Sequence, residues 1–147
     1  MSDGIREVFA LSFLTSRKWE VLYNRMVEDN ELSLKQLMLL IVVGQLEGHP
    51  TIKEVSNNLA SSHQNVKALL NQLVKKNFVT LEKDEHDKRV TRILIKEGKE
   101  AYWAERDDRD LELMSTLFEG VPREDILVTA RTLMALDAIA TKKIKHG

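Results

Sequence analysis

Six side chains in one short segment have the types and spacing to read DNA. In SSHQNVKALLNQLVKK (61–76), Ser62, His63, Gln64, Lys67, Ala68 and Asn71 stand apart from a stripe of Val66, Leu69, Leu70, Leu73 and Val74. That stripe recurs at i, i+3, i+4, i+7 and i+8, the period of an amphipathic helix with one buried face. The outward face carries no acid. A helix of this kind fits the major groove, where Gln64 and Asn71 can each make paired hydrogen bonds to adenine. Lys67 can reach guanine or a phosphate, and Ala68 can touch a thymine methyl. Ser62 and His63 lie at the helix start, where free amides can also donate to phosphate oxygens. The bland alternative is a solvated helix face, and the side chains alone do not decide between the two.

The flanking segments supply a setting. Thr51 with Glu54 three residues on fits a capping box, opening a short helix whose inward face is Ile52, Val55 and Leu59. Ala60-Ser61-Ser62 makes a tight turn, and either serine can cap the next helix. Asn77 suits a left-handed C-terminal cap. Residues 78–83 and 89–95 alternate with β-branched side chains and predict two strands of a hairpin. The polar run Asp84-Glu85-His86-Asp87-Lys88 joins them.

Outside this unit the chain reads as helix. Residues 2–30 show helical apolar spacing. Ser33 with Gln36 forms another capping box, and the body from Leu34 to Leu46 is apolar nearly all round, so a buried central helix is expected. Gly48 and Pro50 end it. Helical patterns return over 96–118 and 123–143, broken by Gly120 and Pro122. The run Glu105 to Asp110 is expected to be a solvated face with i,i+4 pairs.

Composition removes several function classes. The 147 residues contain no cysteine, which excludes disulfides, thiolate catalysis, cysteine-ligated zinc and thiol redox sensing. His49, His63, His86 and His146 are scattered, and no metal site is expected. No phosphate-cradling glycine loop and no Ser-His-Asp arrangement is present, so an enzyme is not expected, nor a cofactor. The start MSDGIREV lacks a signal-peptide core, and LMLLIVV (37–43) is too short to span a bilayer. A soluble cytoplasmic protein is expected. Net charge is -1, yet residues 61–99 hold nine bases against five acids, leaving the remainder acidic. A basic module on an acidic frame suits a DNA reader with a separate surface for other contacts.

Two helices joined by a tight turn and followed by a hairpin make a winged helix-turn-helix. With long helices at both ends, the chain resembles the multiple antibiotic resistance regulator (MarR) family. The resemblance rests on Asp87-Lys88-Arg89, on Leu59-Ala60-Ser61-Ser62 and on VKALLNQLVKKNF (66–78). The family's usual Leu-Thr before the following glycine is absent: Ile95-Lys96 or Leu94-Ile95 stands there, which leaves the cap of the next helix open. The resemblance implies a mainly α fold with a small β-hairpin, its terminal helices forming a dimer stem. It implies a dimerisation helix over 1–32, a DNA-binding domain over 33–98 and dimerisation helices over 99–147. It implies a transcriptional regulator, a ligand-responsive repressor, that binds double-stranded DNA at a pseudo-palindromic operator as a homodimer. Arg89 would enter a narrow minor groove. Asp87 would brace the guanidinium or the turn, while Lys75, Lys76, Lys83 and Lys88 would meet phosphates. Relatives bind small aromatic or anionic effectors, for which Trp19, Tyr23, Met38 and Trp103 could line a pocket. The four acids Glu82, Asp84, Glu85 and Asp87 keep one alternative open, a winged-helix module that meets a protein rather than DNA.

Overall fold

The structure is a computed structural model and describes residues 3–27 and 31–147. Among these, six helices and one antiparallel hairpin follow in the order α1 (Ile5–Met26), α2 (Leu34–Gln45), α3 (Ile52–Leu59), α4 (His63–Lys75), β1 (Val79–Lys83), β2 (Thr91–Ile95), α5 (Glu100–Leu117) and α6 (Arg123–His146). Two compact units result, Met1–Gly98 and Lys99–Gly147.

Local chemistry explains most boundaries in the first unit. α1 stops at Met26, where Val27 turns extended; the expectation of helix over 28–30 falls outside the described residues. Both halves of the Ser33–Gln36 capping box form at the start of α2. Gly48 takes the left-handed exit at φ 65°. Thr51 caps α3 by accepting from the Glu54 amide at 3.1 Å. Of the two candidate serines it is Ser62 that caps α4, accepting from the Asn65 amide at 3.1 Å. Between α3 and α4 the chain reverses at Ala60, which sits at φ 50°, ψ 41°. A left-handed conformation costs a non-glycine residue about 1–2 kcal/mol. It is held here because it lets Ala60 and Ser61 donate their amides to the Asn57 and Ser56 carbonyls. Asn77 adopts φ 67°, the left-handed stop expected after α4.

The core lies where α2, α3, α4 and the hairpin meet. Leu39, Val55, Val66, Leu70, Leu73, Val79 and Ile93 are all buried there. The stripe of α4 is narrower than its sequence pattern: Val74 is exposed and Leu69 half-buried. At about 100° per residue, Val66, Leu70 and Leu73 span about 60°, while Leu69 and Val74 fall on either edge. α2 likewise buries one face only, through Gln36, Leu39, Leu40 and Val43, and leaves Met38 and Ile41 exposed. The hairpin pairs Val79 with Ile95 through Lys83 with Thr91. β2 begins two residues later than the sequence pattern suggests, because the Val90 amide donates to the Asp87 carbonyl and keeps Arg89 in the turn.

In the second unit, α5 starts at Glu100 rather than Lys96. Gly98 is left-handed at φ 84°, and Lys99 offers no side-chain cap, so the missing threonine leaves the helix start uncapped. The charged run 105–110 is not a uniformly solvated face. Arg106 and Asp110 are buried and pair at 3.7 Å, and Arg106 Nη1 donates to the Tyr102 hydroxyl at 3.0 Å. Residues 102, 106 and 110 share one side of the helix, and a buried charge persists only with partners of this kind. α6 runs to His146 and has no buried residue.

The core of the first unit sets a stability test. Leu70→Ala removes a fully buried side chain from the inner stripe of α4. It is expected to lower unfolding free energy by about 3 kcal/mol, read from urea denaturation followed by circular dichroism.

Candidate nucleic-acid interface

The burial of Val66, Leu70 and Leu73 fixes the rotation of α4 about its axis, and so fixes what faces out. Counting about 100° per residue, Gln64, Ala68, Asn71 and Lys75 point within about 60° of one another, opposite the buried stripe. Each is exposed, as are Ser62, His63 and Lys67. His63 and Lys67 lie toward one flank. α4 carries two lysines and no acid, so its outward face holds no negative charge.

The other flank of α4 is engaged internally. Gln36 Nε2 donates to Gln72 Oε1 at 2.8 Å. Lys76 Nζ donates to the Glu31 carbonyl at 2.6 Å and to Gln36 Oε1 at 2.8 Å. Lys76 is therefore not placed as a phosphate contact: its ammonium satisfies acceptors at the start of α2. Lys75, one residue earlier, points outward.

The wing tip is built by two aspartates. Asp84 Oδ2 accepts the His86 and Asp87 amides at 3.0 and 2.9 Å, an Asx turn that starts the loop. Asp87 Oδ1 accepts the Arg89 amide and Arg89 Nε, both at 3.1 Å, and Oδ2 accepts Arg89 Nη2 at 3.3 Å. Asp87 thus braces both the guanidinium and the turn. The Arg89 side chain remains 91% exposed. Lys83 and Lys88 are exposed beside it. Hydrogen bonding by Arg89 holds the Asp87 carboxyl below its ordinary range.

A second ion pair was not singled out by the sequence. Arg92 Nε donates to Asp84 Oδ1 at 2.6 Å, and Arg92 Nη1 to the His49 carbonyl at 2.8 Å. The signal available was the place of Arg92 on the non-core face of β2, opposite Glu82 and two residues from Asp84's side of the pairing. Of the residues expected to meet an effector, Trp19 and Met38 are exposed, Tyr23 is buried, and Trp103 is half-buried on α5 in the second unit. Among the described residues no cluster of His, Asp or Glu could hold a metal ion, and no helix is long and apolar enough to cross a membrane.

Residues 30–90, which include the helix-turn-helix and most of the wing, match the family model described as MarR family. By this match the segment is similar to the MarR family. The fold of the whole chain agrees. A MarR protein from Peptoclostridium difficile superposes with a TM-score of 0.71 at 17% identity, covering 99% of this chain and 92% of that one. Streptococcus pneumoniae FabT, solved in complex with DNA, gives 0.64 at 20% identity over 97% and 99%. Bordetella bronchiseptica BpsR, whose DNA binding is regulated by 6-hydroxynicotinic acid, gives 0.74 at 15% identity over 88% and 98%. Among curated proteins none is a significant match in sequence. The chain therefore has the winged helix-turn-helix fold of MarR-family transcriptional regulators.

The acid that starts the wing-tip loop has a measurable signature. Asp84 is pulled from 3.8 to about 2, first by the hydrogen bond from Arg92 and then by the Asp87 and His86 amides. Because the folded value lies below the unfolded one, its contribution to stability is present above about 3.8 and lost as pH falls toward about 2. A carboxyl-carbon NMR titration should find Asp84 still ionised at about pH 3, midway between these values.

Proposed function

We propose that this protein is a sequence-specific transcriptional regulator that binds duplex DNA as a homodimer. The observation that carries the reading is the acid-free outward face of α4, held opposite the core and accompanied by an exposed Arg89 at the wing. Gln64 and Asn71 would read adenines, Lys67 a guanine or phosphate, and Ala68 a thymine methyl. Ser62, His63, Lys75 and Lys88 would meet phosphates and set register without specifying sequence. Arg89 would occupy the minor groove beside the site.

Pairing of two chains is supported by apolar surface. Ile5, Phe9 and Phe13 on α1 are each more than three-fifths exposed, and so are Met134 and Ile144 on α6. Apolar exposure on this scale, on each of the two helices, marks association surfaces. A second copy would cover it, and two copies related by a twofold axis would present two α4 helices to a pseudo-palindromic operator. A dimer seated across two grooves would exclude other proteins from that DNA, which favours a repressor. BpsR supports a small aromatic, anionic effector as the signal.

The reading is tested with duplex selected by the protein from a random-sequence pool. Binding should be steeply salt-dependent, and Arg89→Ala should weaken it and reduce the slope of log K against log salt by about one. No enrichment of any sequence would overturn the reading, and an unchanged slope would remove Arg89 from the interface. Sedimentation equilibrium is expected to give twice the chain mass of 16.9 kDa, and Phe9→Glu to shift the protein toward monomer.

A further inference from the structure

Arg92 joins three segments that are distant in sequence. Its Nε meets Asp84 Oδ1 at 2.6 Å, and its Nη1 meets the His49 carbonyl at 2.8 Å. The other carboxylate oxygen of Asp84 holds the amides of His86 and Asp87. Backbone pairing runs beside this contact: the Ile93 amide donates to the Pro50 carbonyl at 2.9 Å, and Thr51 bridges to Arg92. One guanidinium therefore connects the wing tip, β2 and the link between α2 and α3. That link leads within two residues into Thr51, the cap of α3, which packs on α4.

A two-stranded ribbon has little stability of its own, and its tip swings unless something fixes it. Here the tip is fixed to the helix-turn-helix. We propose that Arg92 is a positioning residue: through Asp84 and the His49 carbonyl it sets where the wing tip, and hence Arg89, stands relative to α4. The inference rests on the DNA-binding reading above.

The surroundings of Arg92 distinguish this role from direct contact with DNA. Its side chain is 39% exposed, whereas that of Arg89 is 91% exposed. It faces Asp84, stands opposite Glu82 across the hairpin, and feels the charge of Glu54 on α3. A phosphate would enter a site already balanced by carboxylates. A guanidinium also suits the task, because its planar fork presents donors in two fixed directions, which the single ammonium of lysine does not.

Opposite signs make the proposal testable. Asp84→Asn removes a negative charge near the DNA. If only field mattered, it would tighten binding. As part of the clamp it must weaken binding, since an amide can keep the bonds to the two backbone amides or the bond to Arg92 but not both. On the selected duplex, Asp84→Asn and Arg92→Ala are each expected to bind roughly tenfold more weakly, as a wing that must be ordered on binding costs affinity. Arg92→Lys should not restore binding although it keeps the charge. Adding Arg89→Ala to Arg92→Ala should cost little more, because a misplaced wing has already lost the Arg89 contact. In the free proteins, hydrogen exchange should speed up at the His86 and Asp87 amides of both Asp84→Asn and Arg92→Ala while α4 stays protected, which also shows that the variants fold. Tighter or unchanged binding by Asp84→Asn, wild-type binding by Arg92→Lys, or additive losses for Arg89 and Arg92 would each overturn the proposal. Should the wild-type protein select no duplex, the DNA-binding reading falls by itself. Exchange at the wing tip then decides the clamp, and unaltered protection in Arg92→Ala rejects it.

Discussion

The proposed interface depends on the burial of three side chains. Val66, Leu70 and Leu73 are sealed into the seam between α2, α3 and the hairpin, and this sets the phase of α4. Because a helix turns about 100° per residue, sliding the seam by one residue would swing the outward set by a quarter turn or more and replace Gln64, Ala68 and Asn71 with their neighbours. Packing and the proposed reading of DNA are thus the same constraint seen from two sides of one helix. The polar bonds Gln36–Gln72 and Lys76–Glu31 act on a flank of α4, where apolar packing alone would leave rotation softer. Both bonds are part-buried, where polar contacts help to specify one arrangement.

The charge pattern of the wing reads differently once its geometry is known. Four acids near a DNA surface suggest repulsion, and they motivated a protein-binding alternative. Two of the four are not free anions facing outward. Asp84 and Asp87 direct their oxygens at backbone amides and at Arg92 and Arg89. Their negative charge is the means by which the loop is folded and its arginines aimed. Glu82 and Glu85 remain exposed beside Lys83 and Lys88, which balance them. Lys67 and Lys75 stay exposed on α4 even though the whole chain is slightly acidic.

Much of the first unit was legible because its signals are local. The Ser33 and Thr51 caps, the stripe of α4, the left-handed Asn77 and the alternation of the hairpin all depend on neighbours within a few residues. What escaped depends on partners far along the chain. Lys76 looks like an outward base until Glu31 and Gln36, forty or more residues earlier, take up its ammonium. The role of Arg92 is set by a carbonyl at His49, which leaves no trace in side-chain type. Ala60 carries no left-handed signal, since the turn there is imposed by the two helices it joins. In α5, alternating charge implied solvent, but periodicity of opposite charges does not distinguish a wet ion pair from a buried one such as Arg106 and Asp110.

A pair of winged modules adds a constraint that one chain cannot express. With the clamp proposed above, each module would hold its own α4 and wing tip together, through the seam and through the Arg92 contacts. In a dimer of the proposed kind, the remaining freedom is the separation of the two modules, which must match about one helical turn of DNA. Phosphate contacts make affinity steep in that separation, because several are made or lost together when a module shifts by a few ångströms. In such a dimer, a signal that shifts how two copies pair through α1 or α6 would change occupancy of the DNA without altering any residue that touches it. A rigid wing favours such control. If the tip were loose it would follow the DNA as the modules moved, and a change in spacing would lose its effect.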